Sequence, residues 1–261
     1  MSHTRAETAF LEIRRRLLSG EFSPGAPLRL ERLKSELGIG ITPLREALMR
    51  LTSEGLVVAE EQRGFRVAPA TQDDLEDIMR TRIEIEALAL REAMDRGGDD
   101  WEATIVGAFH RLSRRNPTDP DTGAMMPEWE AAHAAFHVSL IAACESRWIK
   151  HFWQMLFDHS RRYRQIAVVR GRAFRDDLAE HERLMRAVIA RDVEAALAAS
   201  AAHIASTRAV VEVLLDGDAI APVVAGRDDG VPGGATTGPA GDAPAEGPES
   251  ALPQKGPQRR R

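Results

Sequence analysis

The fold of this chain is decided by residues 24–69, which read PGAPLRLERLKSELGIGITPLREALMRLTSEGLVVAEEQRGFRVAP. Apolar residues at helical spacing predict a helix over 28–37, and the glycine-rich turn GIG ends it. Thr42 then has the character of an N-cap, with Pro43 at the first helical position of a further helix. Two helices joined by so short a turn indicate a helix-turn-helix.

The residues on either side of these two helices complete a small domain. Two β-rich runs, 56–59 and 65–68, flank a polar turn and predict a hairpin. Upstream, apolar residues between 10 and 18 recur at helical spacing and add a first helix. Three helices followed by a hairpin are the layout of a winged helix-turn-helix, which we assign to residues 1–69.

The remainder of the chain divides into a helical segment and a tail. Residues 70–216 show helical periodicity almost throughout and predict an all-helical antiparallel bundle, so the fold class is mainly α. The helices expected here span 73–96, 99–115, 128–144, 147–169, 176–190 and 193–215. Residues 217–261 are rich in Gly, Pro, Ala and Thr without periodicity, and this composition predicts a disordered tail.

Composition and charge narrow the class of protein. The single cysteine, Cys144, excludes an internal disulfide framework and favours a reducing, cytoplasmic location. No apolar run is long enough to span a membrane, and none at the N-terminus resembles a secretory signal. The net charge is −5, yet residues 1–69 carry 11 basic and 9 acidic side chains, whereas 70–216 carry 19 and 25. We call residues 1–69 the head. A mildly basic head joined to an acidic segment is typical of a DNA-binding domain fused to a domain of another function.

Four residues of the head are candidates for contact with double-stranded DNA. In a helix-turn-helix, the second helix of the motif enters the major groove and presents its first residues to the bases. Thr42 and Arg45 occupy that position, and a guanidinium can bond guanine or clamp phosphate. Arg63 and Gly64 form a small, positive wing tip suited to the minor groove. The alternative for Arg45 is an ion pair with a neighbouring glutamate.

Four of the eight histidines lie at intervals that could bring them together. His133 and His137 are four residues apart and project from one face of one helix. His181 is expected on a later helix, and His203 follows it by 22 residues on the next, antiparallel helix. The four imidazoles would then converge on one divalent transition metal. The alternative is that they are ordinary core or surface histidines.

The head resembles the DNA-binding domain of the GntR family. The resemblance rests on the PLREAL core, the following RL..EGLV and the RGFRV of the wing. It implies a homodimeric transcription regulator that binds a short palindromic operator, and we expect a repressor. Thr42, Arg45 and Gly64 match the family pattern. Gly40 and Ile41 stand where many members carry Ser-Arg, so one frequent DNA contact is missing.

The helical segment is similar to the FCD effector domain of the FadR-type branch of that family. The matching pieces are LEDIMRTRIEIEALALREA, HAAFHVSLIAAC and EHERLMRAVIARDVEAA. Metal-binding members present an Asp and three His, which correspond to His133, His137, His181 and His203. His133 stands where most members carry the aspartate. Imidazole ligands suit Zn²⁺ or Ni²⁺. Because no aspartate reduces the +2 charge of the ion, an anionic effector is expected to bind it.

The resemblance also indicates the class of effector. Arg82 matches an arginine near the start of the FCD domain, and Ser146 lies where many relatives have an asparagine in the pocket. The stretches GITPLREAL and EEQRGFRVAP and the SRRYR run at 160–164 are similar to CsiR-type regulators. This resemblance implies a short dicarboxylate such as glutarate. For Arg82, an ion pair with Glu86 is an equally weighted alternative.

Two other classes of function compete with a metal-dependent sensor. A metal held by several histidines can activate water, which is the chemistry of a metal-dependent hydrolase. Glu180 and Glu182 are the acidic residues beside His181, and both are expected to point away from the metal. A helix-turn-helix also has little purpose on a small hydrolase, so we predict that the chain is not an enzyme. The second alternative is a purely structural metal, with the sensor site elsewhere.

Overall fold

The computed structural model describes residues 4–169 and 178–215, and these are mostly helical. The helices are α1 (Arg5–Leu18), α2 (Leu30–Leu37), α3 (Ile41–Ser53), α4 (Gln72–Arg96), α5 (Asp99–Ser113), α6 (Pro127–Leu140), α7 (Arg147–Val169), α8 (Leu178–Ile189) and α9 (Val193–Leu215). The strands are β1 (Val57–Glu60) and β2 (Gly64–Val67). Within the described ranges, no helix combines the length and apolar character needed to cross a membrane.

Helices α1 to α3 and the β1–β2 hairpin form the predicted winged helix-turn-helix. The strands pair antiparallel, with Val57 opposite Val67. Gly38 ends α2 in the left-handed conformation, at φ 65°, which a glycine adopts without steric cost. The apolar faces of the three helices meet in a leucine-rich core, in which Leu44 and Leu48 are fully buried. This core holds α3 with its polar face outward.

The start of α3 differs from the sequence prediction. Its N-cap is Gly40, whose carbonyl accepts a hydrogen bond from the Leu44 amide at 3.2 Å. Thr42 is therefore the second helical residue rather than the N-cap, and Pro43 is the third rather than the first. A proline is tolerated there because the first amides of a helix have no acceptor within the helix. The correction places Thr42 inside the first turn, where its side chain is exposed.

Helices α4 to α9 form the predicted all-helical bundle. Helix α4 packs against α7 and α9, α5 packs against α6, and α8 packs against α9. The core between them is built from large aromatic side chains, including Trp129, Phe136, Trp153 and Phe157, all at most 4% exposed. The middle of this core is where the histidines lie.

Some helix ends differ from the prediction because of tertiary contacts. Helix α6 ends at Leu140 instead of residue 144, and the Ser139 carbonyl near its end accepts a hydrogen bond from the Trp101 indole at 2.8 Å. Helix α5 ends at Ser113, two residues early. The predicted beginning of α8 at 176 and the predicted disordered tail at 217–261 lie outside the described residues.

Candidate functional site

The four predicted histidines lie together in the bundle. One ring nitrogen from each of His133, His137, His181 and His203 falls within a group whose atoms are all within 4.8 Å of one another. The four side chains are between 1% and 3% exposed. The expected convergence from α6, α8 and α9 is therefore present, whereas their role as metal ligands stays a prediction.

The separations of the ring nitrogens fit coordination of one ion. The Nε2 atom of His137 lies 3.2 Å from Nε2 of His133 and 3.2 Å from Nε2 of His181. Ligands bonded at about 2.0–2.1 Å around a tetrahedral centre stand about 3.3 Å apart, and octahedral neighbours about 2.9 Å apart. The Nε2 atoms of His133, His137 and His181 all face this small space, and hydrogen bonds among the three rings alone cannot give every nitrogen a partner. The donor set thus fits a divalent transition metal.

The local sequence accounts for this arrangement. His133 and His137 are one turn apart on α6, so their rings project from the same face. His181 and His203 come from α8 and α9, which are joined by a tight turn in which Arg191 adopts a positive φ of 57°. This turn folds α9 back along α8 and brings the last two histidines to one level.

Burial keeps the first two histidines in the form that binds a metal. Burial, and then the neighbouring His137, lowers the pKa of His133 well below its ordinary value of 6.5. Burial, followed by the charges of His181 and His203, lowers the pKa of His137 in the same direction. A neutral imidazole offers a lone pair to an ion, whereas a protonated one does not.

Two carboxylates approach the outer nitrogens of the cluster. Glu180 lies with Oε2 3.0 Å from Nδ1 of His203, and Glu86 lies with Oε1 3.9 Å from Nδ1 of His137. A carboxylate on Nδ1 orients the ring and leaves Nε2 free for an ion. Glu180 thus lies on the outer side of His203 and not among the ring nitrogens of the cluster, and the sequence did not predict this contact. Its neighbour in sequence is His181, and only the fold shows that it serves the histidine on the next helix.

Arg82 is fully buried beside the cluster and forms the ion pair with Glu86 that was one of the two roles considered for it, while effector binding stays a prediction. Its Nε lies 3.3 Å from Glu86, and Nη1 donates to the Ser160 hydroxyl at 2.8 Å. The remaining nitrogen, Nη2, is buried without a hydrogen-bond partner among the described residues. Burial lowers the pKa of Arg82, with the nearby Arg164 acting in the same direction and Glu86 opposing it. The ion pair with Glu86 is present, and one nitrogen still has capacity for an acidic ligand.

A second arginine, which sequence reasoning missed, lies on the same side of the cluster. The guanidinium carbons of Arg82 and Arg164 lie 5.0 Å and 5.6 Å from the centroid of the Phe157 ring. Arg164 bonds Glu130 at 3.2 Å, while its Nε is buried and unpaired within the described part of the chain. The RRYR run at 161–164 was its only signal in the sequence. Two guanidiniums therefore flank one aromatic ring next to the histidines.

Ser146, the predicted effector contact, lies at the beginning of α7. Its hydroxyl accepts a hydrogen bond from the Ile149 amide at 3.3 Å, so it caps the beginning of α7. None of its contacts with described residues reaches the histidine cluster. A serine at the start of a helix satisfies an amide that would otherwise lack an acceptor. The hydroxyl thus has a structural role here, while its contact with an effector stays a prediction.

The predicted DNA-reading residues lie exposed on the head. Thr42 and Arg45 are exposed in the first half of α3, and Arg45 forms no ion pair with any residue that the structure describes. The glutamate pairing considered for it is thus absent there. Arg63 and Gly64 are exposed at the hairpin turn, where Gly64 has a φ of 91° that disfavours other residues. Base or phosphate contact by these residues stays a prediction.

The basic residues of the head differ in whether they are free of ion pairs and therefore available to contact a phosphate. Seven basic residues lie between positions 29 and 66 of the head and are candidates for phosphate contact, and four of them form ion pairs within the head. These are Arg32 with Glu36, Lys34 with Glu31, Arg50 with Glu7 and Arg66 with Glu60. Arg29, Arg45 and Arg63 are exposed and unpaired among the described residues. These three carry the positive charge that is free to meet a phosphate.

Comparison with known proteins agrees with this architecture. Residues 5–67 match the model of the gntR family of bacterial regulatory proteins, and residues 77–206 match the FCD domain. The HTH-type transcriptional repressor GlaR of Escherichia coli is 34% identical over 206 residues, covering 77% of this chain and 93% of that protein. The uncharacterized HTH-type transcriptional regulator BphR of Paraburkholderia xenovorans is 36% identical over 206 residues, covering 78% and 84%.

Solved structures show the same fold. McbR/YncC of Escherichia coli aligns with a TM-score of 0.70 at 20% identity, covering 82% of this chain and 99% of that chain. A GntR regulator from Rhodococcus sp. RHA1 aligns with a TM-score of 0.63 at 20% identity, covering 81% and 99%. The chain belongs to the GntR family of bacterial transcription regulators and carries an FCD domain. It is a DNA-binding regulator and not an enzyme, as predicted.

Proposed function

We propose that this regulator is a repressor that senses a small carboxylate at a metal site in its FCD domain. The observation that carries the proposal is the buried group of four imidazoles, with nitrogens within 4.8 Å of one another. We assign DNA binding to residues 1–69 and effector binding and dimerisation to residues 70–216. Repression is supported by the name of the related GlaR, which is a transcriptional repressor.

The proposed metal is held by His133, His137, His181 and His203. Zn²⁺ and Ni²⁺ are favoured because neutral imidazole nitrogens are ligands that both ions accept. When bound, the ion supplies Lewis acidity toward a carboxylate oxygen. The protein contributes the geometry: Glu180 orients His203, and the stacking of Trp129 on His133, with ring centroids 4.7 Å apart, restrains that ring.

Charge favours an anionic effector. Four neutral imidazoles leave the +2 charge of a divalent ion uncompensated. Beside the cluster, the free nitrogens of Arg82 and Arg164 add capacity for acidic groups. Each guanidinium has one buried nitrogen without a partner among the described residues, so a second carboxylate on the same ligand could accept one charge-assisted hydrogen bond from each arginine. We therefore propose a short dicarboxylate such as glutarate, with one carboxylate at the metal and the other at the arginines.

A purely structural metal remains the second candidate, and one observation favours it. Four buried nitrogens can complete a tetrahedral shell, and structural zinc sites are closed in this way. A sensory site needs a further position for the effector. The two proposals differ in coordination number: X-ray absorption of the metal-loaded protein should gain oxygen ligands with glutarate if the site is sensory, and should stay unchanged if it is structural.

The proposed mechanism couples the site to DNA through a homodimer. Two heads of a dimer bind half-sites separated by one helical turn of DNA, so their relative pose decides affinity. Binding of the effector in the bundle would change that pose and release the operator. The linker between the wing and α4, residues 68–73, is the proposed hinge.

A combined measurement tests the proposal. Elemental analysis of the native protein should find one divalent transition metal per chain, and glutarate should weaken operator binding by the metal-loaded protein only. The variant His133→Asp should keep the metal yet bind glutarate more weakly, because the aspartate lowers the charge of the site by one. Tight glutarate binding by thoroughly metal-stripped protein would contradict the metal site and place recognition on Arg82 and Arg164 alone.

A further inference from the structure

Helix α7 contacts the histidine cluster with one face of a short stretch, residues 157–164. The Phe157 ring centroid lies 6.1 Å from that of His133 and 5.5 Å from that of His137. One turn later, the Ser160 hydroxyl accepts a hydrogen bond from Arg82 at 2.8 Å. This face of α7 is therefore part of the surroundings of the candidate site.

The opposite side of the same stretch holds the DNA-binding head. The Asp158 carboxylate accepts hydrogen bonds from Arg14 of α1 and, at 2.9 Å, from Gln154. The next residue, His159, donates from Nε2 to the carbonyl of Glu54 at 2.7 Å. Glu54 is the C-cap of α3, so α7 is bonded to α1 and to the end of the recognition helix.

The linker between head and bundle lies on α7 as well. Arg162 donates to the carbonyls of Ala68 and, at 3.2 Å, Pro69. The Tyr163 hydroxyl accepts from the Thr71 amide at 3.2 Å and donates to the Asp74 carboxylate at 2.7 Å. Asp158 and His159 thus bind the head and Arg162 and Tyr163 bind the linker, while Phe157 of the same stretch packs against the histidines.

The ion pair of Arg14 and Asp158 is the contact best suited to fix one pose of the head. The Asp158 side chain is 6% exposed and that of Arg14 is 25% exposed. A charge so far from solvent is costly when its partner is removed, whereas apolar surfaces can slide over one another at little cost. Arg14 also bonds Glu54 at 3.0 Å, so the pair extends to the end of α3.

We infer that Asp158 is a positioning residue for DNA binding: with Arg14, it holds the head in one pose on α7. Because Phe157 of the same turn packs against the histidines, a shift of α7 at the cluster moves this contact and hence α3. The role of Asp158 in fixing the pose does not depend on the metal or on the effector.

Distance measurement by pulsed electron paramagnetic resonance tests this inference in the full-length, metal-free chain. Spin labels are attached at Met49→Cys in the head and Val106→Cys in the bundle, two positions that are 53% and 48% exposed. The native Cys144 is buried and is replaced by serine. Doubly labelled chains are diluted with unlabelled chains so that the distance within one chain of the proposed homodimer is measured, and the parent should then give one narrow distribution. Asp158→Asn and Arg14→Gln should each broaden it, because either change removes one charge of the pair.

Two further variants separate positioning from general stability. Arg14→Lys keeps a positive charge opposite both Asp158 and Glu54 and should keep the narrow distribution, which a general loss of folding would not allow. Arg15→Gln is the matched control, since Arg15 pairs with Glu12 and Glu21 inside the head and should leave the distances unchanged. Single variants with the narrow distribution of the parent would overturn the inference. A failed metal proposal would leave these distances unaffected, so the two failures are distinguishable.

Discussion

The indole ring of Trp101 lies so close to Gly97 that a Cβ at position 97 would stand 2.1 Å from ring atom Cε3. The ring has little freedom to move away. Its N–H donates to the Ser139 carbonyl at 2.8 Å, and the guanidinium carbon of Arg191 lies 4.8 Å from the ring centroid. Gly97 is thus required by packing at the end of α4, although its φ of −65° is open to any residue.

Gly97→Ala should therefore destabilise the bundle by about 1–3 kcal/mol, the usual cost of forcing extra volume into a packed site. Urea unfolding followed by circular dichroism measures the change. Gly98→Ala is the control, because no atom lies within 4 Å of a Cβ placed there. Equal stability of the two variants would show that the ring yields.

Arg45→Ala should weaken operator binding by about 1–3 kcal/mol, the typical value of a side chain that bonds a base bidentately. The reason is its exposed, unpaired position in the first half of α3. Fluorescence anisotropy with operator DNA measures the affinity. Arg111→Ala, an exposed arginine on α5, is the control for a general change of charge. Unchanged affinity in a folded Arg45→Ala protein would remove this residue from the interface.

Operator binding should fall with salt less steeply than the number of basic residues in the head implies. Only Arg29, Arg45 and Arg63 are free of ion pairs among the seven candidates, and each phosphate contact releases a counterion. Two such heads give a slope of log affinity against log salt of about −5, whereas seven contacts per head would give about −13. A titration over several salt concentrations decides between them, and a slope near zero would argue against phosphate contact altogether.

The double substitution His137→Ala with His181→Ala should abolish metal binding, because it removes two of the four nitrogens and leaves too few ligands. Metal content is measured by mass spectrometry of the purified protein. The matched control is His110→Ala with His151→Ala, which removes two exposed histidines outside the cluster. Retention of one metal per chain by the first variant would refute the assignment, while loss in both would indicate a general effect.

The head should lose stability in acid through Glu12. Hydrogen bonds from Arg15 and then Arg16 lower the pKa of Glu12 from 4.5 to about 2. Because the folded pKa lies below the unfolded value, the stabilisation is complete above pH 4.5 and is lost as the pH falls toward 2. Glu12→Gln should flatten this part of the stability profile. Glu46→Gln, an exposed acid without an ion pair in the described residues, should not.

The sequence predicted the fold where local pattern and tertiary structure agree. Helices α7 and α9 begin at the predicted residues, Arg147 and Val193, because a polar break precedes a periodic apolar face at each of them. The four histidines were placed together because a spacing of four residues fixes one pair and a tight antiparallel turn fixes the other. Helix α6 ends early at Leu140, and the Ser139 carbonyl there bonds Trp101 from another helix, a contact that no local pattern reveals.

The parts of the site that were missed depend on contacts between distant residues. Glu180 is adjacent to His181 in sequence but bonds His203, across the turn between α8 and α9. Arg164 was one of several arginines in a basic run, and only burial beside Phe157 distinguishes it. For Ser146, the family pattern predicted a contact in the effector pocket, whereas the structure shows its hydroxyl capping α7.

The two faces of α7 constrain how this protein could be recombined with its relatives. A hybrid that joins this head to a foreign sensor at the linker would bring in another α7, and with it another residue opposite Arg14. The junction would then be continuous in the chain but would lack the hydrogen bond between Arg14 and Asp158. Asp158, His159 and Arg162 belong to α7 of the sensor domain in sequence, but they bind the head and the linker. An exchange of sensor domains must therefore keep these three residues of α7 together with the head.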